Sequence, residues 1–149
     1  MTDIGFYHLT RTGLDRALPK LLEKVLASGV RAVVVTGSAE RVEQLSTALW
    51  TYDPASFLPH GTARDGEAAA QPIWLTDHPE NPNGAGIVVL TEGATVPDLE
   101  SYQRCLDLFD GRDEAAVADA RTRWSAARAA GHTVAYWQQN ERGGWERKA

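Results

Sequence analysis

Ser38, His60 and Asp77 are the residue types of a hydrolytic triad, and His8, His60, His78 and His132 are the residue type most often found on a transition metal. Neither set has the context its chemistry needs. A serine nucleophile sits on a Gly-x-Ser-x-Gly elbow, whereas Ser38 follows a single glycine in Thr36-Gly37-Ser38. The histidines are scattered, with no His-x-x-x-His or Cys-x-x-Cys pair to begin a metal shell. The turn at Gly37-Ser38 lacks both the Gly-x-Gly-x-x-Gly dinucleotide fingerprint and the Gly-x-x-x-x-Gly-Lys phosphate loop. As a small turn before a helix it retains only the weak anion affinity of any helix start. Asp107, Asp110 and Asp113 flank Gly111 and read as turn formers and caps. Cys105, the only cysteine, lies among apolar residues and reads as a small buried hydrophobe. No catalytic grouping and no cofactor are expected.

The elements that would position these residues alternate. Ile4 to Tyr7 is a short first strand, and Leu14, Leu18, Leu21, Leu22, Val25 and Leu26 mark an amphipathic helix closed by Gly29. Pro19 lies within that stripe, so the regular helix is expected to begin there, with the proline in its first turn. The β-branched run from Val30 to Val35 reads as a strand, and Val42, Leu45 and Leu49 give the next helix, Ala39 to Trp50. Residues 62 to 70 read as an exposed connection. Strands follow at Pro72 to Leu75 and Ile87 to Leu90, the second apolar enough to be covered on both faces. Leu99, Tyr102, Cys105, Leu106 and Phe109 fall on one face of an expected helix, and a further helix runs from Glu114 to Ala130. His132 to Gln138 is the last strand, followed by a polar tail. The expectation is α/β: one domain over residues 1–149, with four or five mostly parallel strands in a Rossmann-like layer and helices on both faces.

Composition narrows the function classes. Charged residues make up 23% of the chain and apolar ones 43%, which argues for a packed core and against disorder. The single cysteine suits a reducing compartment, and neither a membrane anchor nor a signal peptide is visible, so a cytoplasmic protein is expected. The net charge of −5 counts against direct nucleic-acid binding, and weak or no affinity for single-stranded DNA is expected at ~0.15 M salt. The distribution is uneven. Residues 1 to 119 hold nine Lys/Arg against eighteen Asp/Glu, net −9; residues 120 to 149 hold six against two, net +4. A basic end on an acidic body favours an acidic partner there, although basic residues also gather near helix C-termini for dipole reasons.

Two stretches look built for binding. Trp50, Tyr52, Phe57 and Leu58 crowd into a non-periodic loop, where a partner explains exposed rings better than a core does. In the helix from Glu114, Val117, Arg121, Trp124 and Arg128 share one face. Two guanidinium groups bracketing apolar side chains suit an acidic, apolar peptide; equally, Val117 and Trp124 could face the core with the arginines at its rim.

Phe6-Tyr7, the segment Ala48 to Gly61, Pro72 to Leu75 and Arg121-x-x-Trp124 through His132 together resemble the chi subunit of bacterial DNA polymerase III. The likeness runs in order from residue 4 to about residue 148. Its most specific part is Leu49 to His60, where eight of twelve residues are neither small nor charged. The resemblance implies a Rossmann-like, non-catalytic accessory subunit. It pairs with the small psi subunit of the clamp loader and grips the acidic C-terminal tail of single-stranded DNA-binding protein, which ends in phenylalanine. It further implies that Arg121, Trp124, Arg128 and Val117 bind the tail, and that Trp50, Phe57, Pro59 and His60 contact psi. Ser125 and Val117 stand where enteric-type relatives carry lysines, a loss of charge for which Arg123 is expected to compensate. The competing class is a small enzyme or nucleotide-binding domain using the crevice of the same fold.

Overall fold

The computed structural model describes residues 2–149. Its elements are β1 (Asp3–Leu9), α1 (Leu14–Ala27), β2 (Ala32–Val35), α2 (Ala39–Thr51), β3 (Gly61–Thr62), β4 (Ile73–Thr76), β5 (Ile87–Thr91), β6 (Arg104–Asp110), α3 (Glu114–Ala129), β7 (Thr133–Gln139) and β8 (Trp145–Arg147), with short 3-10 turns at Ala68–Ala70 and Leu99–Ser101. The strands form one sheet in the order β3-β4-β2-β5-β6-β1-β7-β8. All neighbours are parallel except β7 and β8, which form an antiparallel hairpin.

Alternation along each strand divides the core in two. Tyr7 and Leu9 of β1, Ala32 and Val34 of β2, Ile73 and Leu75 of β4, and Leu106 and Leu108 of β6 pack beneath α1 and α2. Ile4 and Phe6, Val33 and Val35, Trp74, and Cys105 and Phe109 face the other way, where α3 contributes Ala120 and Ala127. Helices therefore cover both faces, as the apolar runs of doubly buried strands require. The mostly parallel layered architecture agrees with expectation. The strand order does not follow the dinucleotide-binding pattern, in which the first two strands are neighbours, because β5 and β6 lie between β1 and β2.

Several expectations are corrected. The segment from Leu99 to Phe109 is not a helix: after one 3-10 turn, β6 pairs with both β1 and β5. A strand covered on both faces has no period-2 signature, so the helical spacing of Leu99, Tyr102, Cys105 and Phe109 is coincidental. Helix α1 begins at Leu14 rather than Pro19, which sits buried in its interior. The proline forfeits one backbone bond, toward Asp15, and burial of Leu14, Ala17 and Leu18 on either side holds the turn together. Among the described residues the strands number eight, because β6 replaces the expected helix, Gly61–Thr62 adds a short edge and the tail expected to be merely polar folds back as β8. Trp145 of β8 meets Tyr7 edge-on at 5.0 Å between centroids, an apolar reason for that return.

Candidate functional site

The carboxyl ends of the strands, where an enzyme of this architecture would work, are occupied by structural pairs. Ser38 caps α2 by accepting the Arg41 backbone N–H at 3.1 Å. The Arg41 guanidinium bridges Asp15 at 2.9 Å and Glu92 at 2.7 Å, joining α1, α2 and the end of β5. The cavity there, about 410 Å³, is lined by Arg16, Arg41 and Arg112 against Asp15, Glu92 and Asp110, so its charges balance. The supposed triad is dispersed. His60 bonds to Ser46 Oγ and to the Leu58 carbonyl, while Asp77 pairs with His78. No group of His, Cys, Asp or Glu able to hold a metal occurs among the described residues. Cys105 is buried, and burial drives its thiol far above the ordinary range, as expected for an inert core cysteine.

Two surfaces differ from this inert background. At the end of α2 the chain turns through Asp53 and returns to β3, and Trp50 and Phe57 stand out as the large exposed hydrophobics, 52% and 68% accessible. Their rings lie 5.6 Å apart. Pro59 is half-buried beside them, and Leu58 anchors the loop in the core. The expected exposure of Trp50 and Phe57 is observed. His60 does not face solvent: its ring is buried beneath Trp50 at 4.5 Å, held by Ser46 and Leu58. It supports the patch from below rather than presenting itself.

The second surface belongs to α3. Asp113 caps this helix by accepting the Ala115 and Ala116 backbone N–H groups. Two alanines supply its fully buried positions, so its apolar stripe is narrow. Trp124 is half-buried and packs edge-on against Phe6 at 5.6 Å and Tyr136 at 5.9 Å, with half-buried Val117 at the border of the same cluster. Arg121 and Arg128 are exposed, and neither has a carboxylate within 4.0 Å among the described residues. The apolar members of this face are therefore docked inward and the charged members turned out.

Arg123 cannot replace missing charge on that surface. Its guanidinium grips Asp107 in two bonds, 2.7 and 2.9 Å, beneath the helix. Asp107 is accordingly a buried ion-pair partner rather than a turn former. Burial raises its carboxyl pKa, and Arg123 opposes that rise. His8, expected only as one of four scattered histidines, pairs with Tyr136. They lie on neighbouring strands on the α3 face, with His8 Nδ1 against the Tyr136 hydroxyl and Phe109 5.1 Å from the His8 ring. The even spacing of Ile4, Phe6 and His8 is the signal that could have placed His8 there.

These surfaces lie on opposite faces and toward opposite edges of the sheet. Between β3, beside the ring pair, and β1, beneath α3, there are five strand spacings, about 24 Å. What the geometry defines is a folded α/β scaffold with two separated surfaces and ion-paired strand ends. The chain belongs to the DNA polymerase III chi subunit family, HolC, whose description it matches over residues 1–135. It is also 30% identical over 109 residues to a probable DNA polymerase III subunit chi of Rickettsia prowazekii (strain Madrid E). That match covers 73% of this chain and 66% of the relative, so the chain spans just under two thirds of the relative's length.

Proposed function

We propose that this chain is a non-catalytic accessory subunit of the bacterial DNA polymerase III holoenzyme, joining two protein partners in the cytoplasm. The aromatic patch of Trp50, Phe57 and Pro59, propped by His60, docks the psi subunit of the clamp loader. The α3 face, with Arg121 and Arg128 over Val117 and Trp124, receives the acidic C-terminal tail of single-stranded DNA-binding protein. Family membership supports the replicative role, and the carrying observation is the separation of an exposed ring pair from two exposed arginines. Two such surfaces can be occupied at once, as a bridge between clamp loader and coated template requires. No helix among the described residues is long and apolar enough to cross a membrane.

The test is calorimetric titration of a synthetic acidic tail peptide, with and without its terminal phenylalanine, into parent, Arg121→Ala, Arg128→Ala and Phe57→Ala proteins. Arg121→Ala is expected to weaken binding by about 2 kcal/mol, because an exposed guanidinium becomes a desolvated partner of the carboxylate on binding. A comparable loss is expected for Arg128→Ala, whose guanidinium is likewise exposed on the same face of α3. Loss confined to Phe57→Ala would move the tail to the aromatic patch. Equal affinities throughout would remove tail binding from both surfaces.

A further inference from the structure

The aromatic cluster under α3 contains one titratable group pair that the tail-binding reading leaves unused. His8 stands on β1 one residue before its end, and Tyr136 is on β7; both side chains project to the α3 side. The His8 ring meets Tyr136 at 5.8 Å and Phe109 at 5.1 Å between centroids. Gly111 closes the far side so tightly that a Cβ there would lie 1.9 Å from His8 Cδ2 and 2.6 Å from the Leu9 carbonyl oxygen. The ring is therefore confined, and its Nδ1 is committed to the Tyr136 hydroxyl.

We propose that His8 and Tyr136 act with Arg121 as a proton-linked acceptor for the carboxylate of an acidic peptide. The two states follow from the donor inventory of the pair. With His8 neutral and Nδ1 unprotonated, the tyrosine hydroxyl donates inward to that nitrogen. When His8 takes up a proton, both ring nitrogens become donors, so Nδ1–H donates to the tyrosine oxygen and the phenolic hydrogen is released to turn outward. A carboxylate held by Arg121 then gains a second donor and a nearby positive charge. The proton comes from solvent and stays on the imidazole; no covalent bond to the peptide forms. His8 and Tyr136 are positioning and specificity-determining residues in this scheme.

The groups acting on His8 come from each element around it. Burial lowers its pKa; a backbone hydrogen bond with Gly111 raises it, the Arg121 charge lowers it and the Asp110 carboxylate raises it. Tyr136 is raised by burial and lowered by Arg121. A bound carboxylate offsets the Arg121 charge and so favours the protonated ring, which makes peptide binding and proton uptake mutually reinforcing. Phe109 and Trp124, which complete the cluster, carry no charge.

This inference rests on the tail reading of the α3 face, and the experiment separates the two. The acidic peptide ending in phenylalanine is titrated into parent, His8→Gln and Tyr136→Phe proteins between about pH 5.5 and about pH 8, the range in which imidazole titrates and carboxylates do not. Each titration is repeated in two buffers of different ionisation enthalpy to count protons. The parent is expected to bind on the order of fivefold more tightly at the acid end and to take up a fraction of a proton near the His8 midpoint. His8→Gln should lose that slope, and Tyr136→Phe should lose affinity at the acid end only. His60, His78 and His132 remain in every variant, so the difference reports on His8. Binding with the same pH slope in parent and His8→Gln would overturn the proton-linked acceptor while leaving the tail site intact. Absence of binding at every pH would overturn both.

Discussion

Trp50, Phe57 and His60 at the end of α2, and Phe6, His8, Phe109, Trp124 and Tyr136 beneath α3, are two clusters of the same chemistry with opposite fates. In the first, a histidine lies buried and the larger rings stand in solvent. In the second, Phe6 and Phe109 are buried, His8, Trp124 and Tyr136 are half-buried, and Arg121 and Arg128 reach fully outward. Ring contacts run from 4.5 to 5.6 Å in the first and from 5.1 to 6.1 Å in the second, so ring spacing does not distinguish a docking surface from a core. The distinguishing feature is what lies on the other side. The first cluster stands where α2 ends and the chain loops back to β3, its two larger rings uncovered, whereas α3 covers the second and is tied down by the Arg123–Asp107 pair.

That contrast breaks most readily at the ion pair. Arg123→Ala leaves Asp107 buried beside the core without its cation, and a loss of about 3–5 kcal/mol in folding stability is expected from chemical denaturation. A change under about 1 kcal/mol would show that α3 is held by its apolar contacts alone. At the other cluster the expected sign is reversed between folding and binding. Phe57→Ala should move stability by no more than about 0.5 kcal/mol yet cost at least about 2 kcal/mol of psi binding, since an exposed ring contributes chiefly when a partner covers it. Comparable losses in both measurements would mean that Phe57 belongs to the fold.

The smallest effect expected is on stability against pH. The folded-state pKa of His8 is depressed, mainly by burial. The unfolded chain therefore binds the proton more readily, and the His8 contribution to stability is present above the unfolded value of about 6.5 and lost as pH falls through the folded value. His8→Gln should flatten that part of the stability profile, read as melting temperature against pH. The expected binding trend runs the other way, with acid favouring the peptide, so the two profiles together separate a structural from a functional role. A stability profile unchanged by the substitution would place the titration elsewhere.

The chain's own pattern was sufficient for the strands at β1, β2, β4, β5 and β7 and for the three helices, for the burial of Cys105 and for the exposed Trp50–Phe57 pair. Each is a local property: β-branched runs, a thiol within an apolar stretch, or rings in a segment too irregular to bury them. The family was legible for the same reason, through the dense aromatic and proline spacing of Leu49 to His60. Tertiary structure alone decided the fate of residues whose partners are remote. β6 became a strand because β1 and β5 offered it two hydrogen-bonding edges, which no helical spacing within 99–109 could reveal. Of the arginines on α3, Arg123 was withdrawn by an aspartate sixteen residues earlier, while Arg121 and Arg128 stand exposed. His60 was buried by a returning loop, and His8 was half-buried against Tyr136 by strand pairing across the fold. Local sequence carries propensity and period, whereas the commitment of a charge or an imidazole depends on which strand lies beside it, and only the assembled sheet brings that neighbour into place.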